Sequence, residues 1–311
     1  MIYTITLNPA VDRELVVPQI VFNSVLRAAE WRVDLGGKGF NVSRMLLALG
    51  QPSIALGFAG GNSGAFLQQG LEDLGIATDF VWVAGETRTN VSIVTSNRER
   101  YVKVNEPGPA VSPQNVQQLL AQITGLVKEG DWWVLSGSLP PGAPAALYAQ
   151  IIDIIQGAGA AALLDSSGDA LHRGCKAGPY MAKPNEVEAG QLSRLPVGNT
   201  AEIAAAAKTI QQMGVHQVLI SLGKQGVLWA GEGQNWLVDT PQIEEKNPIG
   251  AGDSLLGGVV WGLAQGLPPE EAIRWGVASG AATAAQSGTA VGTREEVERL
   301  LGQVRMQPQK S

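Results

Sequence analysis

Residues 247–258, NPIGAGDSLLGG, set one carboxylate, Asp253, directly behind the small residues Gly250, Ala251 and Gly252. The run from Asp253 to Gly266 reads as a helix, so the small residues fall at a helix N-terminus. Backbone N–H groups are unpaired there and the macrodipole is positive. Small side chains also let a ligand approach the backbone closely. That is chemistry for an anion, phosphate above all, yet Asp253 would repel one. Two readings are open at this point. Asp253 is an ordinary first-turn carboxylate with glycines that only tighten the turn, or the amides and the carboxylate serve different atoms of one reaction.

Two more glycine clusters could hold phosphate, Gly36-Gly37-Lys38-Gly39 and residues 57–64. A Walker-type loop requires G-x-x-x-x-G-K-[ST], but Lys38 is followed by Gly39 and Lys224 by Gln225. The dinucleotide pattern G-x-G-x-x-G fails at Val42 and again at Leu255, which disfavours a nicotinamide oxidoreductase. In NEVE, Asn185 and Glu188 lie one turn apart on one helix face. Both could reach one hydrated divalent ion, or they form an ordinary capped helix start. Asp12, after Asn8-Pro9, is a candidate for sugar hydroxyls or an Asx-turn residue. Cys175 is the one cysteine, which excludes an internal disulfide and cysteine-based metal sites. His172 and His216 stand in unrelated contexts and read as surface or structural residues.

These residues need a scaffold. The chain has 311 residues, is 45% hydrophobic and 16% charged, and carries a formal charge of -6. That balance suits a folded α/β protein and argues against capture of nucleic acid or anionic membrane. The N-terminus shows no basic segment with a cleavage site, and the longest apolar stretch is glycine-broken and short. A cytoplasmic protein is therefore expected. The pattern predicts strands at 2–7, 53–60, 132–137, 161–165, 180–183 and 217–221, and a hairpin at 226–239. It predicts helices at 36–50, 63–75, 143–157, 185–195, 201–213, 253–266, 269–287 and 294–305. A further helix starts at Ser112-Pro113, and Thr293 with Glu296 forms a capping box. The alternation implies a mostly parallel sheet covered on both faces, with ligands at the carboxyl ends of its strands. Segments 14–34 and 88–105 depart from it: strands follow strands there, with a turn near Ser96-Asn97. They are expected to form a small separate sheet. No linker, repeat or charge block divides residues 1–311, so one domain is expected.

The GAGD turn with GGKGFNVS (36–43) resembles the two signatures of the PfkB-type, ribokinase-like carbohydrate kinases. TLNPAVD, ETRTN (86–90), SGSLPPG (136–142), LDSSG (164–168), KPNEVE (183–188) and SLGKQG (221–226) extend the resemblance along the chain. The set is most similar to the phosphosugar branch, the 1-phosphofructokinases and tagatose-6-phosphate kinases. The resemblance implies a three-layer α/β/α fold with a β-sheet lid at about 13–34 and 87–106. It implies that Asp253 is the catalytic base and that Gly250, Ala251 and Gly252 supply an anion hole. It implies sugar contacts from Asp12, Gly37, Lys38 and Asn41. It implies phosphate contacts from Arg88 and Ser138, with Arg27 as a third that could reach a neighbouring subunit. Arginine suits such a contact through its forked geometry. Lys183, Asn185, Ser221, Gly223, Gly226, Gly252 and Gly280 are implied for the nucleotide. Ala278 and Gly280 lie in a helix whose small residues tight packing explains equally well. Asn185 and Glu188 are implied for Mg²⁺. The implied reaction is ATP-dependent phosphorylation of a ketohexose monophosphate, first fructose 1-phosphate, then tagatose 6-phosphate, then fructose 6-phosphate. The partners implied are the phosphosugar and ATP, with no nucleic acid and no membrane, and a homodimer through the lid. A non-catalytic sugar-phosphate sensor on the same fold is the alternative of a different class, and the presence of Asp253 weighs against it.

Overall fold

In the run IYTIT, alternate side chains sort two layers: Tyr3 and Ile5 join one core cluster and Ile2 the other. Trp133 and Leu135 against Val134, and Val218 and Ile220 against Leu219, repeat that division. The computed structural model describes residues 1–231 and 233–309. Its strands are β1 (Ile2–Thr6), β2 (Ala10–Val17), β3 (Glu30–Gly36), β4 (Ile54–Ala59), β5 (Ala77–Trp82), β6 (Arg88–Thr95), β7 (Tyr101–Asn105), β8 (Trp132–Ser136), β9 (Ala161–Asp165), β10 (Met181–Ala182), β11 (Gln217–Ser221), β12 (Val227–Gly231), β13 (Gln234–Asp239) and β14 (Arg305–Gln309). The helices are α1 (Lys38–Ala48), α2 (Gly61–Asp73), α3 (Pro113–Leu126), α4 (Leu147–Gly157), α5 (Gly168–Lys176), α6 (Glu186–Ser193), α7 (Thr200–Gln211), α8 (Ala251–Ala264), α9 (Pro269–Ala284) and α10 (Arg294–Leu301).

The large sheet has ten strands in the order β14-β13-β12-β11-β10-β9-β8-β1-β4-β5. Pairing is parallel from β5 through β11 and antiparallel from β11 to β14. Helices α3, α4, α5 and α7 bury their apolar stripes on one face. Helices α1, α8, α9 and α10 cover the other. The result is the expected α/β/α sandwich. Helix α8 is apolar all round, as an interior helix must be, and runs beside α1 and α9. Close approach needs glycine here: a Cβ on Gly276 would lie 2.7 Å from Leu255 O, and one on Gly280 3.0 Å from Ala251 O. Among the described residues no helix is long and apolar enough to cross a membrane.

Strands β3-β2-β6-β7 form the expected second sheet. Its register gives it two unlike faces. Asp12, Asp34 and Asn90 form one cross-strand row, continued by Glu14, Arg32 and Ser92. The opposite face is mostly apolar: Trp31, Leu15, Ile93 and Val102 form one row, beside a second of Val33, Arg13, Val91 and Val104.

Several boundaries differ from expectation. The helix expected from residue 36 starts at Lys38, because Gly36 ends β3 and pairs with Ala10. The helix expected from Asp253 starts two residues earlier, at Ala251, which puts Ala251 and Gly252 inside its first turn. The helix expected from 143 starts at Leu147, after the proline-rich turn 140–144. The helix expected to reach 305 ends at Leu301, and β14 follows it. That strand holds Pro308, which an edge strand tolerates. Strand β5 and helix α5 were not anticipated: β5 is an edge strand that carries Thr78 and Asp79, and α5 is a short helix that holds Gly174. The hairpin over 226–239 is present as β12 and β13, and Glu232 lies outside the described residues.

Candidate active site

The parallel strands end on one edge of the sheet, and polar side chains collect there: Asn8 after β1, Ser138 after β8, Asp165 on β9, Lys183 after β10 and Ser221 on β11. Helices α1 and α8 start at the same edge. Asn41 in the first turn of α1 donates from Nδ2 to Asp253 Oδ2 at 2.8 Å. Asp253, 8% exposed, is the third residue of α8.

Gly250 sits before α8 with φ 81°, a left-handed backbone that glycine adopts without strain. No side chain caps the helix. The Ala251 N–H donates to Pro248 O at 3.2 Å, so it turns inward. Of the three small residues expected to supply amides, Ala251 has its N–H already engaged. The amides of Gly250, Gly252 and Asp253 have no hydrogen-bond partner among the described residues. They are the ones a phosphoryl group could use.

Charge around Asp253 is organised by Asp165, the aspartate of LDSSG. Asp165, 1% exposed, receives Lys38 Nζ at Oδ1 and Lys183 Nζ at Oδ2, each at 3.1 Å. Burial works against the Asp165 charge, but Lys183 and Lys38 together outweigh it and hold the carboxyl below the usual range. For Lys38, burial is likewise outweighed, by Asp165, Asp253 and Glu188, and its pKa rises. Burial first and then Asp165 push the Asp253 carboxyl up to about 6, against the pull of Asn41, Lys38 and Lys183. A carboxylate with that value is still ionised at neutral pH and is a better proton acceptor than an ordinary one.

On the side facing the small sheet, Asp12 Oδ1 accepts from Asn90 Nδ2 at 2.7 Å. A Cβ on Gly36 would meet Asp12 Oδ2 at 2.5 Å, so Gly36 makes room for that carboxylate beside Gly37 and Lys38. Asn90 and Asn8 each keep a buried Oδ1 with no partner. Arg88 donates from Nη2 to Asn8 O at 3.0 Å, from Nη1 to Glu106 O at 3.1 Å and from Nε to Pro9 O at 3.4 Å. It thus pins the small sheet to the exit of β1 and keeps one N–H on each Nη for another acceptor. Ser138 belongs to the same corner, accepting from Asn8 Nδ2 at 3.4 Å. Arg27 does not: it is exposed between β2 and β3 and, among the described residues, makes no hydrogen bond or ion pair with the cleft.

On the opposite side of Asp253, a cavity of roughly 780 Å³ opens between α8, α9 and the strands that follow β11. Ser221, Gly223, Gly226, Gly252 and Gly280, all anticipated, line it. Gly226 has φ 96°, and a Cβ there would lie 2.0 Å from Val238 O. Lys224, inside SLGKQG but given no role there, also lines the cavity, as do residues 240–243, which no motif marks. Lys183 reaches toward this side: its Nζ is 3.6 Å from where a Cβ on Gly252 would be. Asn185 and Glu188 form a reciprocal capping box at the start of α6, with Glu188 Oε2 accepting from the Asn185 N–H at 2.9 Å. Glu188 Oε1 has no partner among the described residues.

A carboxylate between a polar cleft and a nucleotide-sized cavity, with free amides beside it, is an arrangement for group transfer to a hydroxyl. Comparison with known proteins agrees. The family model described as pfkB family carbohydrate kinase matches residues 3–296. A 1-phosphofructokinase of Bacillus subtilis is 35% identical over 98% of this chain and 99% of its own. Among solved structures, phosphofructokinase-2 from Escherichia coli in complex with potassium superposes with a TM-score of 0.92 at 31% identity, covering 97% of this chain and 98% of that one. An Arabidopsis thaliana ribokinase complexed with ribose and ATP shares the fold, with a TM-score of 0.78 at 19% identity over 96% of this chain and 98% of its own.

Proposed function

The chain belongs to the pfkB family of carbohydrate kinases, and from that premise we propose that it transfers the γ-phosphoryl group of ATP to O6 of fructose 1-phosphate. The observation that carries this reading is the place of Asp253, bonded to Asn41 on the sugar side and adjoining Gly252 of the nucleotide cavity. The acceptor hydroxyl would lie against the Asp253 carboxylate. As its oxygen attacks the γ-phosphorus, the proton passes to Asp253 and the bond to the β-phosphate oxygen breaks, releasing ADP. The amides of Gly250, Gly252 and Asp253, with Lys183, face the equatorial oxygens. Phosphoryl transfer asks for little beyond positioning and charge stabilisation.

Asp12, Gly37, Lys38 and Asn41 are assigned to the sugar, and Arg88 with Ser138 to the phosphate it already carries. Tagatose 6-phosphate is the alternative acceptor and fructose 6-phosphate the next. C1 and C6 of a ketofuranose both hang from carbons beside the ring oxygen, so one corner can hold either phosphate. The residues at α6 fit Mg²⁺ held through water. Among the described residues no cluster of three His, Cys, Asp or Glu could encage an ion, while Glu188 keeps one hard oxygen free and Asn185 is exposed. When bound, the ion neutralises phosphate oxygens.

The small sheet is assigned as a lid, its polar face toward the sugar. Its opposite face exposes Trp31 at 69% and Val104 at 60%, which supports a homodimer formed face to face through the lids. The test of the catalytic assignment is Asp253→Asn. Turnover is expected to fall by on the order of 10³-fold or more while calorimetric ATP binding is kept. Retained turnover removes the base assignment.

A further inference from the structure

We propose that Asp165 is the positioning residue of this site, holding Lys38 on the sugar side and Lys183 on the nucleotide side so that neither ammonium pairs with Asp253. Asp165 is 1% exposed and therefore does not touch a ligand itself; it acts through the two lysines. Those lysines come from different elements, Lys38 from the start of α1 and Lys183 from the exit of β10, and converge on its two oxygens at 3.1 Å each. A lysine stem is long and flexible, and a point-charge ammonium seeks the nearest carboxylate. After Asp165, the carboxylate that acts most on Lys38 is Asp253, and an ion pair there would occupy the base and depress its proton affinity. With Asp165 in place, Asp253 keeps a single neutral donor, Asn41. The negative charge of Asp165 also supports the raised proton affinity of Asp253. Glu188 is the remaining charged group that acts on Lys38.

This proposal rests on Asp253 as the base, and its test separates the two. The Asp253 carboxyl band is isolated by infrared difference between wild type and Asp253→Asn, then titrated without substrate. In Asp165→Asn its midpoint is expected to fall by about one pH unit or more. In the same variant, the acid limb of kcat/KM moves down with it. There, kcat drops by on the order of 10²-fold, more than either KM rises. An unmoved midpoint, or a kcat within twofold of wild type, overturns the proposal. Asp165→Asn leaves two ammonium groups without their carboxylate and can unfold the chain. In that event side-chain ¹⁵N relaxation of wild-type Lys38 decides. An ammonium pinned despite a side chain 44% exposed supports the proposal, and one with the mobility of a free lysine overturns it. Absence of phosphosugar-dependent ADP release in wild type defeats the functional reading, while the titration and the relaxation data still judge Asp165.

Discussion

Asp253 carries a cost that follows from its task. Its carboxyl is raised from 3.8 to about 6, so the native state binds a proton more tightly than the unfolded chain. Between pH 4 and 6 this group's contribution to stability falls as pH rises, and above 6 the full penalty remains, on the order of 2–3 kcal/mol. Asp253→Asn should therefore raise the melting temperature at pH 7, with the advantage fading as pH falls through 6 toward 4. Equal melting temperatures at pH 7 would mean the carboxylate is not held against its preference. Arg88 pins the small sheet and is assigned a second task at the substrate phosphate. Arg88→Ala is expected to raise KM for the phosphosugar by more than tenfold and KM for ATP little, and to cost about 2–3 kcal/mol through three lost hydrogen bonds. A destabilised variant with unchanged KM would make Arg88 purely structural. The carboxylate and glycines of GAGD were legible because they are adjacent in sequence. The part played by Asp165 was not, since Lys38 lies 127 residues away. The backbone acceptors of Arg88 leave no mark in sequence either.

At the scale of elements, periodicity found most strands and helices, and the errors share a cause. Helix starts were misplaced where glycine ends a strand or proline delays a helix, as at Gly36 and residues 140–144. Strand β14 was lost because its proline is tolerated only at an edge, and sequence does not show which strand is the edge. The turn into β12 gives a direct check on the nucleotide cavity. Gly226→Ala puts a Cβ against Val238 O in a left-handed backbone. It should destabilise the protein by about 1–3 kcal/mol and raise KM for ATP more than KM for the sugar. A variant with wild-type ATP kinetics would argue that the cavity below β12 is not the nucleotide site.

For the whole molecule, the two-faced small sheet and the two-sided cleft are assigned together: one face to closure over the sugar, the other to a second copy. Trp31→Lys places a charge beside Leu15 on that face, and sedimentation should show the assembly shifted toward monomer; an unchanged mass would place any interface elsewhere. The lid's faces were not legible, because they depend on a register between strands as far apart in sequence as β2 and β6. The central claim is that this kinase acts on a sugar already phosphorylated. Coupled ADP release with fructose 1-phosphate, tagatose 6-phosphate, fructose 6-phosphate and free fructose tests it most directly. The expected result is kcat/KM highest for fructose 1-phosphate and greater than that for free fructose by on the order of 10³-fold, because a corner built for a phosphate is left unpaired without one. Comparable kcat/KM for free fructose would contradict the account.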